Sequence, residues 1–146
     1  MEAVHGDYSI ESLVSGSICC GNEGILNAVL CHVSDINELD WDGETMLHVF
    51  ARRGFEQICV WLLDMGADVN KRGKWGETPL WAAIQAWLGD GSDDAHASYR
   101  EDMCRLLLDR GADINTRNGH GETVLHAATE CGHVRCLQFV LHNLKK

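Results

Sequence analysis

Two histidines, His48 and His126, an acidic stretch with Asp90, Asp93, Asp94 and His96, and seven cysteines are the side chains of this chain best suited to ligating a metal or attacking a substrate. Their spacing argues against each use. A calcium loop of the EF-hand type needs carboxylates at alternating positions around a central Gly and a Glu at the twelfth place; the 90–96 stretch has no such order and reads as a solvated acidic loop. Cys19 and Cys20 are adjacent, and Cys131 and Cys136 make no Cys-x-x-Cys knuckle, so a zinc site is disfavoured. Neither a Gly-x-Ser-x-Gly elbow nor a Gly-x-x-x-x-Gly-Lys phosphate loop occurs. His48 and His126 occupy equivalent places in a repeated pattern, and recurrence points to structure, not to catalysis or metal binding. No enzyme, metal or cofactor is expected; the chemistry to look for is binding.

The elements that would present such a surface are written as a repeat. Gly-Glu-Thr begins at Gly43, Gly76 and Gly121, and Gly-Ala-Asp-(Val/Ile)-Asn begins at Gly66 and Gly111. The first two Gly-Glu-Thr copies lie 33 residues apart. Four units fit, at 6–39, 40–72, 73–117 and 118–146. In the second, Asp40 to Gly43 makes a turn, Thr45 caps a helix running to about Arg53, Gly54 breaks it, and a second helix spans Glu56 to Met65 before Gly66. Leu47, Phe50 and Ala51 on the first helix, and Ile58, Cys59, Leu62 and Leu63 on the second, give each one apolar stripe. One helix pair cannot bury its stripe, so the units must stack.

With its 33-residue period and the tetrapeptides Thr45-Met46-Leu47-His48, Thr78-Pro79-Leu80-Trp81 and Thr123-Val124-Leu125-His126, the chain resembles the ankyrin repeat family over about residues 21–141. The lone Pro stands where a first helical turn tolerates it, and that same unit has Trp81 in place of the His. For His48 and His126 the resemblance implies an imidazole bonded to its own turn and the Thr hydroxyl, tying one unit to the next. The resemblance implies an all-α solenoid of about four helix-turn-helix units with β-turn fingers, and a function in binding another protein through the concave face and fingers. It also implies where: Trp41 and Asp42, Lys74 and Trp75, and His120 on the fingers, with Arg52, Arg53, Gln85 and Glu130 beside the helix ends. Trp41 and Trp75 are expected at one register on successive fingers, as solvent-facing anchors. Trp61 and Trp81 read as packing residues, and Trp87 is open between packing and contact.

Further features bound the function. There are 22 acidic against 12 basic residues, a net charge of −10, which opposes nucleic acid and anionic membranes as partners. Arg52, Arg53, Lys71, Arg72 and Lys74 nonetheless form a local basic strip suited to an acidic or phosphorylated segment. Cysteines set among apolar residues, with no signal or membrane-length apolar run, point to the cytoplasm or nucleus. The third unit carries twelve extra residues, an insertion at about 87–98 whose Gly, Asp and Ser content predicts a solvated loop between its helices. The 6–39 unit, lacking the tetrapeptide, reads as an N-terminal cap. The C-terminal unit is either a cap or a covered end, by self-association or by the rest of a longer chain. An adaptor or inhibitor is the leading reading; an immunity- or antitoxin-like inhibitor of one enzyme and a targeting fragment of a multidomain protein are the alternatives.

Overall fold

In a computed structural model that describes residues 35–89, 94–132 and 134–144, each Gly-Glu-Thr motif opens a helix. Thr45, extended at φ −88° and ψ 170°, caps α1 (Met46–Arg53), and its hydroxyl accepts the His48 N–H. That satisfies a donor with no partner inside the helix. Gly54 ends α1 in the left-handed region at φ 80°, where a Cβ would be costly. The chain continues as α2 (Glu56–Asp64), α3 (Pro79–Gly89), α4 (Asp94–Asp109), α5 (Val124–Cys131) and α6 (Val134–Leu144). Among the described residues there are six helices and no strand, an all-α solenoid of three successive helix pairs, α1–α2, α3–α4 and α5–α6.

The first helices of the pairs pack in a row, α1 on α3 and α3 on α5, and each second helix backs its own partner. Because α3 also meets α4 and α6, it is the hub of the core. Leu47, Phe50, Ile58, Cys59, Leu62, Leu80, Ile84, Met103, Leu107, Ala128 and Val140 are buried in one continuous cluster. Val134 and Leu141 of α6 remain exposed.

Polar ladders join the units. Asn37 Oδ1 accepts the Asp68 N–H at 2.6 Å while its Nδ2 donates to the Gly66 carbonyl, and Asn70 does the same with Asp113 (2.8 Å) and Gly111. The recurrent Gly-Ala-Asp-(Val/Ile)-Asn motif is therefore both plug and socket: the Asn of one copy bonds the Gly and Asp of the next. His48 works likewise. Its Nδ1 accepts the Thr45 N–H at 3.3 Å, and its Nε2 lies 2.8 Å from the Glu77 carbonyl of the following unit. A carbonyl can only accept, so Nε2 carries the proton and the ring is neutral.

The insertion is where the structure departs most from the sequence reading. Trp87, Leu88 and Gly89 extend α3, and residues 94–98 form the first turns of α4, so at 11 and 16 residues this pair outlasts α1 and α2 at 8 and 9. The expected projecting loop is thus corrected to helix on both sides of 90–93. Gly89, Asp90, Gly91, Ser92, Asp93 and Asp94 follow one another in the sequence, whereas Ala95-His96-Ala97 has no helix breaker. Trp87 is buried, its ring 5.7 Å from that of Phe139 on α6, and that packing holds the extra turn in place. The expected cap at 6–39, with Ile25, Leu26, Val29 and Leu30, lies outside the described residues except for 35–39, as do Cys19, Cys20, Asp90 and Asp93.

Candidate partner-binding site

Three turns lead into the first helices, each closed by an amide returning to a carbonyl three residues back: Gly43 to Asp40, Gly76 to Gly73 and Gly121 to Asn118. In the outer two turns a short side chain stiffens the loop. Asp40 Oδ1 accepts the Asp42 and Glu44 N–H groups at 2.9 Å each, and Asn118 Oδ1 accepts those of His120 and Glu122 at 2.9 and 3.0 Å. The middle turn has Gly73 at that position because a Cβ there would lie 2.7 Å from the Gly43 carbonyl oxygen. Successive turns are stitched by single amide bonds, Lys74 N–H to Gly43 and Gly119 N–H to Trp75, both 2.8 Å.

On this frame Trp41 and Trp75 are 66% and 61% exposed, large apolar rings held in water by turns that are themselves well bonded. They do not share a register. Trp41 precedes its turn glycine by two residues and Trp75 by one, so Lys74 is the counterpart of Trp41, and Asp42 of Trp75. That corrects the sequence expectation and explains the local contact: Lys74 Nζ sits 5.3 Å from the Trp75 ring centroid, an ammonium over a π face.

Two clefts lie along the same face. The N-terminal one, about 340 Å³, is lined by Asp42, Glu44, His48, Arg52, Lys74, Trp75 and Gln85 among others. The C-terminal one, about 450 Å³, is lined by Trp81, Leu88 and Ala127 with Glu77, Gln85, His120, Glu122 and Glu130. Glu77 and Gln85 border both, Gln85 Nε2 donating to Glu77 Oε2 at 3.1 Å. Of the residues singled out in the sequence, Asp42, Arg52, Lys74, Trp75 and Gln85 thus surround one cleft, and Gln85, His120 and Glu130 the other. Trp41 lies on the turn beside Asp42 and lines neither, as does the half-buried Arg53. Trp61 is half-buried against the core and Trp81 is buried, its Nε1 donating to the Thr116 carbonyl at 3.3 Å, so the Trp at the His position still ties this unit onward.

Sequence reasoning missed Glu44, Glu77 and Glu122, the glutamates of the three Gly-Glu-Thr motifs, all of which line the clefts. They entered the sequence reading only as part of the repeat marker; their recurrence also places one carboxylate per unit along the face. The expected basic strip is largely occupied. Arg52 pairs with Glu44, Arg72 donates to the Gly76 carbonyl at 3.1 Å and to that of Arg117, and Lys74 rests on Trp75. His48 is held below its ordinary pKa, chiefly by burial, which outweighs the opposing pull of the Glu77 carbonyl and Asp40. Burial likewise pushes the Cys59 and Cys104 thiols up, so they pack as small apolar groups. Among the described residues no three His, Cys, Asp or Glu side chains group so as to hold a metal ion, and no helix is long and apolar enough to cross a membrane.

Comparison with known proteins points to the same architecture. The family model described as ankyrin repeats (3 copies) matches residues 16–97, and that described as ankyrin repeats (many copies) matches 92–141. The chain is 36% identical to the potassium channel SKOR of Arabidopsis thaliana over 64 residues, 44% of this chain and 8% of that protein. It is 37% identical to ankyrin repeat protein 14 of Vaccinia virus (strain Western Reserve) over 68 residues, 47% and 29% of the two chains, and 38% identical to an L-asparaginase of Dirofilaria immitis over 60 residues, 41% and 10%. In each case the matched stretch spans less than a third of the relative. Proteins with such different names match this chain over only part of their length, through their ankyrin regions, and ankyrin repeats are generally non-catalytic modules that bind other proteins. Stacked helix pairs, turns stitched across the stack and family models that together run from residue 16 to 141 lead to one conclusion: the chain belongs to the ankyrin repeat family.

Proposed function

We propose that this chain is a non-enzymatic recognition module, an adaptor or inhibitor that docks a segment of another protein across its turns and the face formed by α1, α3 and α5. The carrying observation is the pair of exposed rings, Trp41 and Trp75, on rigid successive turns beside a cleft. An indole in water on an ordered backbone loses little conformational freedom when covered, which suits an interface anchor. Asp42, Arg52, Lys74 and Gln85 supply polar contacts around Trp75, while His120 and Glu130 extend the surface toward the C-terminal unit. The cytoplasm or nucleus is the proposed setting, since Cys59, Cys104 and Cys136 are buried and in no disulfide.

The test is photo-crosslinking from a benzophenone residue substituted for Asp42, with and without Trp41→Ala/Trp75→Ala, after circular dichroism establishes that the variants fold. A discrete adduct lost in the double variant is the expected outcome; an adduct indifferent to both tryptophans would remove them as anchors. Inhibition of a basic enzyme is the second reading, favoured by the net charge of −10, which would steer such a partner inward. A salt-independent association rate with the captured partner would count against it.

A further inference from the structure

Along the binding face two registers decide the local charge. The first is the Glu of the Gly-Glu-Thr motif, constant as Glu44, Glu77 and Glu122. The second lies seven residues after each motif Thr and varies: Arg52 in the second unit, Gln85 in the third and Glu130 in the fourth. Arg52 closes an ion pair on Glu44, Gln85 gives Glu77 a neutral amide, and Glu130 adds a second carboxylate beside Glu122. The pairs therefore run from neutral through singly to doubly negative along the stack.

The doubly negative end is also the apolar one. Trp81 is buried, Leu88 and Ala127 are half-buried, and all three line the C-terminal cleft. Leu88 and Gly89 belong to the turn by which α3 outlasts α1, so the insertion supplies one wall. Among the described residues no Lys or Arg lines this cleft, whereas Arg52 and Lys74 line its neighbour. Glu122 Oε1 has a weak internal donor, Asn118 Nδ2 at 3.4 Å, which leaves its capacity for a charged donor largely open.

Resting on the recognition role proposed above, we infer that the C-terminal cleft receives a lysine or arginine of the partner segment, with its aliphatic stem against Trp81, Leu88 and Ala127 and its cationic head between Glu122 and Glu130. A long cationic side chain fits both halves of such a site, since its methylenes cover apolar surface while its head meets carboxylates. The charge gradient then orients the segment: its basic residue lies over the fourth unit and its uncharged or aromatic residues over Trp75.

The experiment is selection of a displayed random-peptide library against the full chain, followed by binding of the selected peptides to wild type, Glu122→Gln/Glu130→Gln and Trp41→Ala/Trp75→Ala. Glu→Gln keeps the shape and the Asn118 contact, and thermal melts check that each variant is folded. The expected result is a consensus containing Arg or Lys, with affinity falling at least about tenfold in the glutamine variant and further at high salt. A basic consensus unaffected by the glutamine variant, an acidic or uncharged consensus, or no consensus overturns the inference. If such peptides still depend on the tryptophans, the recognition role survives without it; if no selected peptide depends on either pair, both fall.

Discussion

The two clefts that meet at Glu77 and Gln85 are built from the same turn, cap and helix, yet they offer a partner opposite chemistry. In the N-terminal cleft Glu44 is matched by Arg52 and Lys74 is drawn over Trp75, so two of its carboxylate and ammonium groups already have contacts beside an exposed indole. In the C-terminal cleft the corresponding registers are both carboxylates, beside Trp81 and Leu88. A repeat scaffold thus separates two tasks. Residues that recur hold the units together and set a constant background charge, and one variable position per unit decides whether that charge is cancelled.

Breaking the C-terminal cleft from below should have the largest effect. Trp81→Ala removes a buried indole and its bond to the Thr116 carbonyl and should cost about 3–5 kcal/mol in urea denaturation. Stability in such stacks is shared mainly between neighbours, so native-state hydrogen exchange should quicken in α3 and α5 and least in α2. Uniform quickening would show the clefts to be parts of one cooperative unit. Next comes the stitching of the turns. Gly73→Ala forces a Cβ to within 2.7 Å of the Gly43 carbonyl and should cost about 1–3 kcal/mol, whereas Gly119→Ala, with 3.1 Å to the Trp75 carbonyl, should cost less. Equal thermal shifts would mean that both junctions yield alike.

A pH dependence belongs to the N-terminal side, where His48 bridges two units. In the folded chain its pKa is lowered from 6.5, so on acidification the unfolded imidazole takes up its proton first. The unfolded state then binds more protons and stability falls with pH; the contribution is complete above about 6.5 and is lost below it. Protonation would put a hydrogen on Nδ1, against the Thr45 N–H that it now accepts. The drop in denaturation midpoint between about pH 7.5 and 5.5 should be smaller in His48→Gln, because an amide does not titrate there. An unchanged drop would assign the acid sensitivity to other groups. The smallest effect on stability is expected from Arg52→Gln, no more than about 1 kcal/mol for a partly exposed pair. Its value is in binding: with Glu44 uncancelled the N-terminal cleft should come to resemble its neighbour, and calorimetry with a basic peptide should report a second, weaker site. A single unchanged site would show that charge alone does not distinguish the two.

Much of the fold was legible because it is local. The Thr45 cap, the Gly54 stop, the Pro79 start and the stripe through Leu47, Phe50, Ile58 and Leu62 each rest on a residue and its near neighbours, and the structure has each where the sequence places it. The His48 tie to the Glu77 carbonyl was implied by the family resemblance, while the repetition of the histidine marked it as structural. The site was legible only in outline. Asp42, Lys74, Trp75 and Gln85 are variable positions and drew notice for that reason, whereas Glu44, Glu77 and Glu122 were hidden by their regularity. The register of Trp41 against Trp75 was misread by one residue, and in a turn one residue moves a side chain to a different flank.

By itself the sequence determined the period, the caps, the glycine turns and the stacking ladders, since each depends on backbone preferences or on motifs a fixed distance apart. Only the tertiary structure decided that Trp87 would bury against Phe139 and carry the insertion into helix, that Arg52 would be spent on Glu44, and that Glu122 and Glu130 would share a cleft walled by Leu88. The physical reason is that charge and burial are properties of neighbours in space: α3 meets α1, α4, α5 and α6 at once, and the pairings that result are set by how those helices pack.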